Sequence, residues 1–405
     1  MNIHLSQRHP HADGVTPDTA LFQQALDELA EAGGGTLVVD HGRYALGGLR
    51  IGSNTCLWLS PGAKLIVSEN GDDFTQAVAL SQAECSHRAF LYALDAQNVS
   101  ICGGGEIYGS ADGWFSRDVD AMGYRQPVER RPRIILLENC RGVRLENITV
   151  RHAPMWTIHL VSCIGVTING ITVDNDLTMA NTDALDIDSC QQVHIANCYF
   201  SAADDAICLK TTAKPAHIQR PLRQVTIVNC TLRSKSCALK VGTETWQDIE
   251  DVLVSNCTIF DSNRGIGLLS RDGGQLRRMI FSNIAFACVS APACHWGEAD
   301  PVFLSARHRD PAIAPGAITR IQFRGLVGEC EGAINLHSEP AGLIQRILFD
   351  GIQLHQKLNP QAEQGLYDVR PPCNPQSPTG MGMDNAWCLN PHSGRAWGVE
   401  PYPGG

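Results

Sequence analysis

Short apolar–variable–apolar triplets recur along the middle of the chain, among them Leu185-Asp186-Ile187, Ile207-Cys208-Leu209 and Leu239-Lys240-Val241. With the triplets stacked, Asp183 stands three residues before Asp186 and Asp205 three before Cys208, so the two share one slot on neighbouring coils. Asp204 lies beside Asp205, in the slot held by Thr182 one coil earlier. Neighbouring coils are about 4.8 Å apart, close enough for mutual repulsion to make at least one carboxyl keep its proton. A protonated and an ionised carboxyl side by side are the acid and base that cleavage of an acetal requires. The same oxygens would suit a Ca²⁺ ion, or form a plain acidic ladder. Asp186 and Asp188 continue the strand after Asp183, with Lys210 and Lys240 on the next two.

The elements that must hold these groups are short strands. In each triplet the flanks are apolar and the middle residue varies, which turns the flanks inward and the middle outward. Between the triplets an eight-residue pattern repeats, as in Val143–Val150 (VRLENITV), Val166–Val173 (VTINGITV), Val225–Leu232 (VTIVNCTL) and Ile347–Leu354 (ILFDGIQL). Its first and third positions are apolar, the period of a strand with one buried face. Its fifth is Asn147, Gly170, Asn197, Asn229, Asn256, Asn283, Gly325 or Gly351; Asn and Gly are the residues that accept positive φ, so a sharp turn is expected in every copy. The sixth position exchanges Ile, Leu and Cys, which marks it as packing. Strands at a spacing of about 27 residues without helical periodicity describe an all-β, parallel β-helix solenoid; the Leu spacing of leucine-rich repeats is absent.

A solenoid needs capped ends. Thr16-Pro17-Asp18 reads as an N-cap with Pro at the first helical position, Leu21, Phe22, Ala25, Leu26 and Leu29 as an apolar stripe, and Gly33-Gly34-Gly35 as a stop. Residues 1–35 are therefore expected to form an N-terminal cap with a helix, 36–355 the β-helix, and 356–405 a C-terminal tail or cap carrying Trp387, Trp397 and Tyr402. Residues 287–316, with His295 and Trp296, interrupt the repeat.

A net charge of −10 without a basic run argues against nucleic acid or anionic membrane as partner. No stretch approaches the roughly 18 apolar residues of a spanning helix. Met1 to Arg8 shows no apolar core of signal-peptide length, which gives an expectation of a cytoplasmic protein. Sixteen cysteines without zinc or C-x-x-C spacing read as buried thiols in a reducing compartment.

Several stretches together resemble glycoside hydrolase family 28, the polygalacturonase and rhamnogalacturonan hydrolase family. Ala153-Pro154-Met155-Trp156-Thr157-Ile158-His159 is similar to its S-P-x-W-T-x-H segment, Asn181-Thr182-Asp183-Ala184-Leu185-Asp186 to N-T-D-x-x-D, and Asp204-Asp205 before Ile207-Cys208-Leu209-Lys210 to its D-D-C segment. Gly33-Gly34-Gly35-Thr36 and Gly103-Gly104-Gly105-Glu106-Ile107 also fit, so that the likeness runs from about residue 13 to 290. The resemblance implies a right-handed β-helix and inverting hydrolysis of an oligosaccharide, without metal or other cofactor. Asp204 would protonate the leaving oxygen, while Asp183 and Asp205 activate water from the opposite face.

Two departures bear on the substrate. The family's G-H-G motif falls at Ser236-Cys237-Ala238, and its R-I-K motif, which grips a uronate carboxylate, at Gly267-Leu268-Leu269. The expected enzyme is thus not a standard polygalacturonase but one for a neutral sugar, a differently charged one or a rhamnogalacturonan-type linkage. Exo action on short plant-cell-wall fragments is expected, with 213–222 and 287–316 closing one end. His159, Asp186, Lys210, Lys240, Glu244 and Arg271 are the expected substrate-binding residues, and Trp114 either stacks on sugar or fills a loop. Uronate lyase or epimerase action, with Lys210 or Lys240 as base, and non-catalytic carbohydrate binding are the alternatives.

Overall fold

The computed structural model describes residues 1–74, 80–81, 86–119, 124–128, 130–291, 299–310 and 312–357, together with the backbone of strands Leu366–Asp368 and Val399–Pro401. His295, Trp296, Trp387, Trp397 and Tyr402 lie outside the described residues. The chain winds as a right-handed parallel β-helix. A ten-stranded parallel sheet forms one wall, and a 21-stranded sheet, pairing coil to coil, forms the others. The strands of the ten-stranded wall are β1 (Leu49–Arg50), β2 (Ala89–Leu94), β3 (Arg133–Glu138), β4 (Ile158–Val161), β5 (Leu185–Asp188), β6 (Ile207–Thr211), β7 (Cys237–Thr245), β8 (Arg264–Ser270), β9 (Val302–Arg307) and β10 (Asn335–Glu339).

The repeat slots explain the winding. All eight residues of the fifth position adopt left-handed backbone, from Asn283 at φ 54° to Gly170 at φ 66°. Asn229 donates from Nδ2 to Asn197 Oδ1 at 3.3 Å, so the turns also bond coil to coil. The sixth position lines the core with Ile148, Ile171, Cys198, Cys230, Cys257, Ile284 and Leu326. Phe281, Phe323 and Phe349 stack face to face, with ring centroids 5.2 and 5.0 Å apart. The described cysteines are free thiols, nearly all of them buried.

Helix α1 (Thr19–Glu31) plugs the N-terminal end with Phe22, Ala25, Leu26 and Leu29, and Phe22 meets Tyr44 edge-on at 5.3 Å. It starts later than the sequence suggests. Asp13–Pro17 is a strand pairing with Gly42–Leu46, and Asp18 is the N-cap residue. The Asp18 carboxylate turns backward to accept the His11 and Ala12 amides at 2.9 and 3.0 Å, which draws the preceding residues into the sheet. No helix among the described residues is long and apolar enough to cross a membrane.

Candidate active site

The outward-facing middle slot of the ten-stranded wall runs His159 (β4), Asp186 (β5), Cys208 (β6), Lys240 (β7) and Gly267 (β8), in direct register. Leu185 pairs with Ile207, so Asp183 and Asp205, each two residues earlier, stack on adjacent coils. The loop before β5 is held by buried polar groups. Arg131 donates to the Pro154 and Ala180 carbonyls at 2.9 and 2.7 Å and to Asn181 Oδ1 at 3.3 Å. Asn175 donates to Thr157 Oγ1 and to the Thr182 carbonyl, at 2.8 and 3.0 Å. These bonds fix the backbone on either side of Asp183.

Asp183, Asp204 and Asp205 each offer an oxygen within 4.8 Å of the other two. Asp183 and Asp205 are buried and Asp204 is partly open to solvent. Burial, followed by repulsion from Asp205, pushes the Asp204 carboxyl up to about 7. Burial also drives Asp183 well above the carboxylate range, with Asp204, Asp186 and Asp205 adding to it. Repulsion, the effect expected from spacing, thus ranks second to desolvation. At neutral pH the floor of the site holds carboxyls able to give a proton beside Asp205, the member of the trio paired with an ammonium group.

Cations make the arrangement tolerable. Each lysine of the site reaches back one coil onto an aspartate: Lys210 Nζ lies 2.8 Å from Asp186, Lys240 Nζ 2.6 Å from Asp205 and Lys214 Nζ 2.6 Å from Asp188. Ser236 Oγ donates to the other Asp205 oxygen at 3.2 Å. Burial raises Asp186 to about 6, held there against a further rise by Lys210. The trio has the donor chemistry for a hard divalent cation, but two ammonium groups already supply positive charge among these carboxylates.

Several expected substrate contacts are engaged with protein instead. His159 is wholly buried, edge-on to Trp156 at 5.0 Å and 3.5 Å from Asp188, and burial lowers its pKa to about 3. Its slot does face away from the core, but the ring is enclosed there by Trp156 and by Asp188, which the Thr212 amide and Lys214 hold in turn at 2.9 and 2.6 Å. Arg271 is fully buried, donating to the Ser270 and Ser305 carbonyls at 3.0 Å each. Glu244 lies 4.0 Å from both Lys210 and Arg309. Trp114 fills the interior, edge-on to Phe74 at 5.9 Å, rather than stacking on sugar. Sequence reasoning missed Arg309, which pairs with Asp272 at 2.9 Å, and the role of Trp156, whose ring lies 3.7 Å beneath Lys210 Nζ.

The family model described as glycosyl hydrolases family 28 matches residues 72–295, more than half of the chain and all three aspartates of the trio, though not Arg309. The chain belongs to glycosyl hydrolases family 28. It is 25% identical over 361 residues to a probable polygalacturonase of Vitis vinifera, spanning 85% of this chain and 72% of the relative. A probable polygalacturonase of Arabidopsis thaliana is 25% identical over 279 residues, 66% of this chain and 59% of the relative. A hyperthermoactive exopolygalacturonase from Thermotoga maritima shares the fold, with a TM-score of 0.64, 20% identity and coverage of 87% and 92% of the two chains.

Within this family 28 scaffold, the two motif departures have structural counterparts. Cys237 is buried on β7 with its thiol donating to the Leu239 carbonyl at 3.3 Å. Leu268 and Leu269 are buried on β8. Arg264 pairs with Asp300 at 3.3 Å and lies 3.8 Å over the Phe303 ring, a packing position.

Proposed function

We propose that this family 28 member cleaves glycosidic bonds in pectin-type or related plant-cell-wall oligosaccharides by an inverting mechanism. The convergence of Asp183, Asp204 and Asp205 carries the reading. Asp204, with its carboxyl near 7 and partly exposed, is the general acid for the leaving oxygen. Asp183 and Asp205 hold the water, and Asp205, paired with Lys240, is the base that takes its proton.

The charge inventory supports a substrate other than plain polygalacturonate. Lys210, Lys240 and Arg309 each already face a carboxylate. A uronate at the cleavage point would have to compete with these pairs and would meet Asp183, Asp204 and Asp205 besides, so a neutral ring or a rhamnogalacturonan-type linkage fits better. Exo action on short fragments agrees with the loop 213–222, which Lys214 on Asp188 and Ser162 Oγ on the Ile218 carbonyl (2.7 Å) tie down against the wall.

Inverting and retaining sites differ in the spacing of their two carboxyl groups; the 4.8 Å within which oxygens of the trio gather bounds only single atoms, so the first-formed anomer decides between attack by water and an Asp nucleophile. The test is a panel of neutral, uronic and mixed pectic oligosaccharides with wild type and Asp204→Asn, reading the first-formed anomer by proton NMR. Inverted product from a mixed or neutral substrate, abolished in the variant, is expected. Retained configuration would replace the water mechanism with an Asp nucleophile. Full activity in Asp204→Asn would overturn the assignment of the acid, and random internal cleavage of long chains would overturn exo action.

A further inference from the structure

We propose that Lys240 is a positioning residue of the carboxylate trio rather than a substrate clamp: its ammonium group locks Asp205 in place and supplies the charge that lets three carboxylates share one floor. The inference rests on the hydrolase reading above and deepens it. Three observations carry it. Lys240 Nζ sits 2.6 Å from Asp205 Oδ2, while Ser236 Oγ holds Oδ1, so both oxygens of this carboxylate are tied and its rotation is blocked. In the middle slot Lys240 lies between Cys208 and Gly267, a small side chain and none at all, which leaves its long stem room to lie across the wall. The side chain of Lys240 is 17% exposed, so little of it is offered to a ligand.

The groups facing the ammonium are Asp205 and Asp204, which hold its proton on against burial, Lys210, which opposes them, and the neutral Cys208 thiol. Lys240 in turn restrains the rise of Asp204. Removing it therefore leaves the floor with one positive charge fewer, and the trio answers by taking up a proton and losing its base. Lys240 touches no reacting atom in this scheme; it acts through Asp205.

Three variants test this: Lys240→Met, Lys240→Arg, and Lys240→Gln, which keeps a donor without the charge should the methionine variant fold poorly. Lys240→Met and Lys240→Gln are expected to lower kcat by about 100-fold with KM changed by less than about twofold, and Lys240→Arg to recover most of the loss. The carboxylic-acid infrared absorption of the folded proteins at pH 7 should rise in the two uncharged variants and stay at the wild-type level in Lys240→Arg. A raised KM with unchanged kcat would show a substrate clamp and overturn the proposal, as would an unaltered infrared band. Should wild type hydrolyse no glycan, the mechanism fails, and the infrared comparison still decides whether Lys240 sets the charge of the trio.

Discussion

Asp204→Asn should make the protein inactive and, at alkaline pH, more stable. Asp204 ionises at an ordinary 3.8 in the unfolded chain and near 7 when folded. Below 3.8 both states hold the proton and the residue costs nothing. As pH rises from 3.8 to 7 the unfolded chain releases its proton while the folded one keeps it, so stability falls across that window and stays low above it. At about 1.36 kcal/mol per pKa unit the ceiling of this penalty is about 4 kcal/mol. Asp204 is partly exposed and shares its field with Asp183 and Asp205, and screening brings the expected penalty to about 2 kcal/mol. Asparagine has the same shape and never ionises. Denaturant midpoints of wild type and variant should therefore coincide near pH 3.5 and differ in favour of the variant by about 2 kcal/mol at pH 8.5. Turnover should fall by a factor of about 100 to 10,000, the range of a lost general acid. A variant equally destabilised at both pH values would refute the reasoning, since Asp204 would then be a structural hydrogen-bonding group and not a strained acid.

Three further outcomes are expected. His159, lowered from 6.5 to about 3 by burial, makes stability fall as pH drops through that window, by about 2–3 kcal/mol between pH 7 and 4.5; His159→Gln should flatten this acid limb in thermal melts. Arg131→Met leaves the buried Pro154 and Ala180 carbonyls without their donor, at about 1–3 kcal/mol each, and should cut kcat through displacement of the Asp183 loop, measured by kinetics at a temperature where the variant remains folded. Asn229→Ala, at φ 56°, should destabilise by about 1–2 kcal/mol, whereas Asn229→Gly, the residue found in that slot at Gly170, should cost less than about 1 kcal/mol in the same denaturation assay.

The periodic parts of this molecule were legible because they are local. Asn229 and Gly170 announce a left-handed turn by residue type alone, and the triplets fix a register that the pairing of Leu185 with Ile207 reproduces. Asp183 and Asp205 could be placed together for that reason. Contacts that bridge distant segments were not legible. Asp188 closes on His159 from the next coil, held there by Lys214 and Thr212 from the coil beyond, and the outward-facing imidazole ends wholly buried. The lysines were seen on the right face, but not the direction in which they lean, because side-chain reach across coils leaves no mark in the pattern. The start of α1 was misjudged for a similar reason: Asp18 serves the amides of His11 and Ala12 instead of the helix behind it.

The backward lean of Lys210, Lys214 and Lys240 also constrains how such a chain can evolve. A solenoid is usually free to grow by duplicating a turn anywhere along its axis, since each turn needs only apolar neighbours. Between Asp183 and Thr245 that freedom is lost, because a turn inserted after Asp188 would part Lys210 and Lys214 from their aspartates, and one inserted after Thr211 would part Lys240 from Asp205. Lengthening is cheap toward the C-terminal end, where the Phe281–Phe323–Phe349 stack could simply gain another ring.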